Sequence, residues 1–260
     1  MENELKIFNK TTIETEIKDN IKNNRVIAVM SGKGGVGKST TTRILSEYLS
    51  FNAGVCIIDF DINSPVMPIM TNTLNEYILE EDKIHPIKVK ENLYSISRSN
   101  LIAYENERAI DPTKKQRLMY NILKNISTED FKYIIFDTPP GVEEEHINIA
   151  PFIDYAIIVS TPQDLALDDV KRQLSFCKKA GVKILGIVEN MKNYICRKCN
   201  KENIIFSGSN VKKYCDEKNI EYLGEIKIKQ EIVKAMDSGC FIEEETIKKI
   251  SEKITEKYLE

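Results

Sequence analysis

The chain has 260 residues, 42% of them hydrophobic and 30% charged, and its 37 basic and 40 acidic residues leave a formal net charge of -3. That length suits one large α/β domain, which buries roughly three-quarters of its unfolded surface and needs no staples. The slightly acidic balance excludes a chain-wide nucleic-acid footprint, no apolar run approaches the roughly 18 residues of a membrane span, and six cysteines are too few for a disulfide scaffold.

Residues 1–24 are polar and rich in Asn, Lys and Glu. The first ten lack the apolar core of a secretory signal, so a reducing cytosol is expected, with the thiols free or metal-bound. Ile13, Ile17 and Ile21 recur at helical spacing, as a short helix or a loosely attached extension. From Arg25 the pattern turns to βαβ. Short apolar runs at Val26–Met30, Val55–Ile58, Tyr133–Phe136, Ala156–Val159 and Lys183–Val188 read as buried strands. Amphipathic stretches at Lys114–Asn125 and Asp164–Ala180 read as helices. This alternation predicts α/β: a mostly parallel sheet with helices on both faces. The expected organisation is an extension over 1–24 and one domain over 25–260, with a cysteine-bearing insertion at about 190–210.

Gly32-Lys33-Gly34-Gly35-Val36-Gly37-Lys38-Ser39 fits G-x-x-x-x-G-K-[ST] between a strand and a helix. The glycines let backbone N–H groups curl around phosphate oxygens, and the helix N-terminus adds partial positive charge. Lys38 would reach the β- and γ-phosphates of ATP, and Ser39 would ligate Mg²⁺. A P-loop NTPase is therefore expected.

Two acidic segments end the next strands. Asp59-Phe60-Asp61 follows Val55–Ile58, and Asp137-Thr138-Pro139-Pro140-Gly141 follows Tyr133–Phe136. Ligands bind at strand carboxyl ends in open α/β sheets, and an Asp there downstream of a P-loop holds Mg²⁺ directly or through water. Asp137 is the candidate for that role. Asp59 also belongs to the nucleotide site, and Asp61, on the same side by alternation, is the candidate that orients the attacking water.

Lys33, together with Thr40 at the end of the loop, makes Gly32 to Thr40 resemble the deviant Walker A of the MinD/ParA/nitrogenase-iron-protein group. In that group the first lysine crosses a dimer interface to the partner's nucleotide, so the resemblance implies a homodimer with Lys33 acting in trans. Asp59 to Pro68 narrows the likeness: it resembles switch I of the Mrp/ApbC/Nbp iron–sulfur cluster carriers, and Asp137 to Gly141 resembles their switch II. Thr161 to Val170 and Glu189-Asn190-Met191 look like further segments of that family, whose asparagine corresponding to Asn190 recognises adenine. The likeness runs from about Val26 to Ile242. Asn63-Ser64 stands where Tyr-Gly is usual, and Val142-Glu143-Glu144 where Thr-Gly-Asp is usual. No cysteine precedes Cys56, so the N-terminal ferredoxin-like cluster of some eukaryotic relatives is not expected.

Cys196-Arg197-Lys198-Cys199 is a C-x-x-C. Arg197, Lys198, Lys192 and Lys201 beside it would lower the thiol pKa, and Asn200 suits a left-handed position after the second cysteine. One such pair supplies two ligands where a zinc or 4Fe-4S site wants four, and two subunits about a two-fold axis would supply four. In the carriers that the chain resembles, the matching pair bridges a 4Fe-4S cluster across the dimer. Zinc at the same thiols, a redox disulfide and an unliganded turn compete with that reading. Cys56, Cys177, Cys215 and Cys240 read as small packing residues, and His85 and His146 as structural or surface residues. The last stretch, 243–260, sets six glutamates against four lysines around Ile247, Ile250 and Ile254. It therefore reads as a helix packed on the body rather than on a membrane.

The function expected from the residues and the resemblance together is a slow Mg²⁺-dependent ATPase that carries a cluster between two subunits and passes it to apoproteins in the cytoplasm, with no nucleic-acid or membrane partner. The alternatives are a MinD/ParA-like spatial organiser, which has no use for Cys196 and Cys199, and a P-loop metabolic enzyme in which Lys33 is incidental.

Overall fold

The computed structural model describes residues 10–78, 83–101, 111–206, 208 and 211–257. The expectations for residues 1–9, for three positions in 204–210 and for residues 258–260 lie outside them.

Eight strands form one sheet. In chain order they are β1 (Arg25–Ser31), β2 (Val55–Asp59), β3 (Ile87–Lys90), β4 (Leu93–Ser97), β5 (Tyr133–Pro140), β6 (Tyr155–Ser160), β7 (Lys183–Glu189) and, after a separate small hairpin, β10 (Tyr222–Glu225). Their spatial order is β10-β7-β6-β1-β5-β2-β4-β3. All pairings are parallel except that of the edge strand β3, which runs antiparallel to β4.

The central strands are apolar on both faces, as a covered parallel sheet requires. In β1, Val26, Ala28 and Met30 enter the core on one face, while Ile27 and Val29 enter the core on the other. The first core is closed by helices α1 (Lys10–Ile21), α4 (Pro112–Asn125) and α6 (Asp164–Ala180), and the second by α2 (Lys38–Ser50), α8 (Gln230–Asp237) and α9 (Glu245–Lys257). Each isoleucine or leucine fully buried this way contributes roughly 1.5–3 kcal/mol.

The N-terminal helical spacing is realised as α1, with Ile17 and Ile21 buried against the same core as α4. Helix α4 begins two residues earlier than periodicity suggests. Asp111 caps it by accepting from the Thr113 and Lys114 N–H groups, and Pro112 opens it. Helix α9 buries Ile247, Ile250 and Ile254 as a body-packed helix. The remaining helices are α3 (Met67–Met70), α5 (Glu144–Ile149) and α7 (Val211–Lys218). The small hairpin consists of β8 (Tyr194–Ile195) and β9 (Glu202–Asn203), antiparallel and outside the main sheet.

Candidate functional site

The P-loop runs from the end of β1 into α2, and Gly37 caps the helix at φ 89°. A β-carbon at Gly37 would lie 2.1 Å from the Asn190 amide nitrogen, and one at Gly32 would lie 2.1 Å from the Asp169 β-carbon on α6. Both positions therefore need glycine, the first for conformation as well as space.

Register places the acidic groups. Asp137 of β5 is the direct neighbour of Asp59 on β2 and of Val29 on β1, so it lies at the root of the loop. Its carboxylate is wholly buried and takes three donors: Lys38 Nζ at 2.9 Å and Thr42 Oγ1 at 2.8 Å on Oδ1, and Ser39 Oγ at 2.6 Å on Oδ2. Lys38 Nζ also lies 3.1 Å from Ser39 Oγ. Ser39 and Asp137 present adjacent hard oxygens beside the loop that can cradle phosphates. That donor set fits Mg²⁺, which is held by one or two protein oxygens plus phosphates and water.

Asp59 is buried and faces inward. Its Oδ1 accepts from the Asp61 N–H at 3.0 Å, and its Oδ2 accepts from the Met67 N–H at 3.2 Å and from Ser97 Oγ at 3.3 Å. It thereby ties down both ends of the loop between β2 and α3. Burial raises its pKa to about 8, and the Asp137 charge adds to that while Lys38 opposes it. Asp61 is half-buried, accepts from the Ser64 N–H at 3.2 Å, and is also raised by burial, with Lys38 opposing. Arg98 donates to the Ile62 carbonyl at 3.0 Å and anchors the middle of this loop. Nothing in its sequence neighbourhood marks Arg98 for that task.

Asn190, at the end of β7, donates to the Val36 carbonyl at 2.8 Å and accepts from the Met191 N–H at 2.9 Å. It stands between the P-loop and a cavity of about 160 Å³ whose lining includes Gly37, Thr40, Thr41 and Met191 on one side and Ile228 and Val233 on the other. An apolar slot beside a phosphate loop suits a planar base.

Helix α6 closes the loop from the side. Gln173, wholly buried, donates to the Ser31 carbonyl at 3.1 Å and to the Gly141 carbonyl at 2.6 Å, joining the root of the P-loop to the turn after β5. Lys33 donates to Gln163 just before α6. His146 is wholly buried in α5. Its Nδ1 accepts from the Glu143 N–H at 3.2 Å in a capping box, and burial lowers its pKa to about 4.

The cysteine pair lies on the turn between β8 and β9. The Cys196 N–H donates to the Lys201 carbonyl at 3.0 Å and the Asn200 N–H to the Cys196 carbonyl at 2.8 Å, with Asn200 left-handed at φ 53°. Cys199 is exposed and Cys196 partly so. The Cys196 thiol is lowered first by the Cys199 and Lys198 N–H groups, then by the Cys199 thiol. The expected cations are not the cause. Arg197 is paired with Glu231, and Lys192 lies 2.8 Å from Glu189. Among the described residues, no three His, Cys, Asp or Glu side chains gather into a metal-holding group, so one subunit brings two thiols to this turn. Cys56, Cys177 and Cys215 are buried, and burial raises the last two to about 11. Cys240, expected in the core, is exposed instead. It lies in the turn past the end of α8, after left-handed Gly239, and so off the helix face that carries Ile232 and Met236 into the core.

The family model described as ParA, NUBPL iron-transfer P-loop NTPase, matches residues 22–259. The chain is 37% identical over 224 residues to the cytosolic Fe-S cluster assembly factor NBP35 of Eremothecium gossypii, covering 82% of this chain and 67% of that protein. It is 36% identical over 225 residues to the cytosolic Fe-S cluster assembly factor NUBP1 homolog of Caenorhabditis briggsae, covering 82% and 72%. Among solved structures, the nucleotide-binding protein of Archaeoglobus fulgidus in complex with ADP superimposes with TM-score 0.75 at 25% identity, over 87% of this chain and 91% of that one. The cell division ATPase MinD of Pyrococcus furiosus shares the fold, with TM-score 0.65 at 21% identity over 89% and 98%.

Proposed function

The chain belongs to the NUBPL iron-transfer P-loop NTPases of the ParA type, and on that premise we propose that it is a cytosolic, slow Mg²⁺-dependent ATPase that carries a 4Fe-4S cluster between two subunits and delivers it to apoproteins. The observation that carries this reading is the continuity of one short segment. Asn190 touches the P-loop, and six residues on, Cys196 offers a thiol of lowered pKa on an exposed turn. Residues 25–260 form the ATPase domain and 1–24 its extension.

In this mechanism the P-loop N–H groups from Gly32 to Thr40 enclose the phosphates of ATP. Lys38, released from part of its bond to Asp137, reaches the β- and γ-phosphates. Ser39 and Asp137 would hold Mg²⁺, Asp137 directly or through water, and the chemistry supplied there would be charge neutralisation on the phosphates. Asp61 orients a water for in-line attack on the γ-phosphorus, so that the P–O bond to ADP breaks and inorganic phosphate leaves. Asp59 keeps the Asp61 loop in place, Asn190 borders the adenine, and Lys33 meets the nucleotide of the partner subunit.

The cargo is held elsewhere. Two copies of Cys196 and Cys199 give the four thiolates that one 4Fe-4S cluster requires, and zinc competes for the same sulfurs. A spatial organiser of the MinD kind has no use for such a turn, and no nucleic-acid or membrane partner enters this reading.

Anaerobic reconstitution followed by iron, sulfide and zinc analysis tests it. About four irons per dimer are expected, with transfer to an apoprotein. Cys196→Ala/Cys199→Ala is expected to lose the iron and keep ATP binding. Full iron and sulfide on that double variant would overturn the carrier reading.

A further inference from the structure

Lys33 is held against its own subunit. Its ammonium donates to the side-chain oxygen of Gln163 in the same subunit. That oxygen also lies 3.4 Å from Thr161 Oγ1. Both ends of the contact are fixed by their own backbones. Ser31 Oγ donates to the Lys33 carbonyl at 3.1 Å. Gln163 occupies the position before α6: its N–H donates to the Thr161 carbonyl at 2.8 Å, and its carbonyl takes the first helical bond, from the Leu167 N–H at 3.1 Å.

The chemistry of the acceptor matters. A neutral amide oxygen holds an ammonium by a hydrogen bond but without the Coulomb attraction of a carboxylate. The position also faces the positive end of α6, where a cation is disfavoured and an anion is favoured. The bond is therefore strong enough to orient Lys33 and weak enough to be exchanged for a phosphate. A glutamate at 163 would lock it.

We propose that Gln163 is a positioning residue, a latch that parks Lys33 within its own subunit and must release it before two nucleotide-loaded subunits close on each other. This rests on the reading that Lys33 serves the partner's nucleotide. Parking taxes association by the fraction of molecules whose lysine is free, and the side chain at 163 sets that fraction.

Two measurements on the full chain test the latch. The first is amine acylation of the dilute monomer, read at Lys33 by mass spectrometry. Gln163→Ala is expected to raise Lys33 labelling at least about threefold over wild type and Gln163→Glu to lower it. The second is ATP-driven association by sedimentation, in an Asp61→Ala background that preserves the bound nucleotide. Gln163→Glu is expected to weaken association about tenfold and Gln163→Ala to strengthen it, both effects vanishing with Lys33→Ala. Unchanged Lys33 labelling in Gln163→Ala overturns the latch, and so does weaker association in that variant or an effect of Gln163→Glu that survives Lys33→Ala. A labelling response in a protein that never associates leaves the latch standing and overturns the dimer reading instead.

Discussion

Lys38 Nζ and Asp137 Oδ1 lie 2.9 Å apart, with the lysine 7% exposed and the aspartate fully buried. The pair joins the start of α2 to the middle of β5, and it stands where the phosphates and Mg²⁺ of ATP would be shared between the same two residues. A buried charge that loses its partner is costly, so neither member is replaceable without consequence for the other.

Lys38→Ala is expected to lower MgATP affinity by at least about tenfold, the size of a lost charge-assisted hydrogen bond. Isothermal titration calorimetry measures it. Affinity within a factor of two of wild type would reject the phosphate-loop role.

Asp61 and Asp137 are expected to part company on substitution. Asp61→Ala should bind MgATP and lower turnover by roughly a hundredfold or more, as the loss of a water-orienting group does. Asp137→Ala should instead flatten the magnesium dependence of ATP binding. Superimposable magnesium titrations of the two variants would show the division to be wrong.

Gly37→Ala forces an L-residue to φ 89° and drives its β-carbon into the Asn190 amide. The expected result is a loss of nucleotide affinity larger than that of Gly34→Ala, where a β-carbon meets open space. Fluorescent nucleotide titration of the two variants decides it, and equal affinities would contradict the account of the Gly37–Asn190 contact.

His146 gives a pH test. Its folded pKa is about 4, below the ordinary 6.5, because burial disfavours the imidazolium. The unfolded chain therefore binds the extra proton first, and stability falls as pH drops from about 6.5 to 4, by up to about 1.4 kcal/mol per pH unit. Above that window the group contributes no slope. His146→Gln keeps a side-chain acceptor for the Glu143 N–H and has no proton to bind. Urea denaturation at pH 5 and pH 7 should show a smaller acid loss in the variant than in wild type, and an unchanged loss would refute the assignment.

The cysteines are expected to separate under alkylation. Cys196 should be labelled in the native protein, since backbone N–H groups favour its thiolate. Cys56, Cys177 and Cys215 should stay unlabelled until the chain unfolds, because they are buried and burial raises their thiols. Native labelling of Cys215 would contradict its place in the core.

Local pattern was enough for much of this protein. Val26–Met30, Val55–Ile58 and Tyr133–Phe136 are buried strands because contiguous β-branched and aromatic residues suit a sheet covered on both faces. Asp164–Ala180 is a helix because its apolar residues repeat at helical spacing up to Gly181. Gly32 to Ser39 was legible because phosphate binding by backbone needs glycines at fixed offsets in one short stretch. What adjacency in sequence could not convey, the sheet register decided. It sets Asp59 beside Asp137 across 78 residues and turns Asp59 inward as the anchor of the Asp61 loop. It brings α6 against the P-loop, so that Gln163 meets Lys33 and Gln173 joins Ser31 to Gly141. The same packing buries His146, exposes Cys240 and shifts control of Cys196 from nearby cations to two backbone N–H groups. The Asp59, Gln163, Gln173 and His146 contacts depend on which distant residue fills the space around a side chain, and Cys196 and Cys240 depend on the turns that present them. Charge and periodicity along the chain say which groups are available, and only the packed sheet says which of them touch.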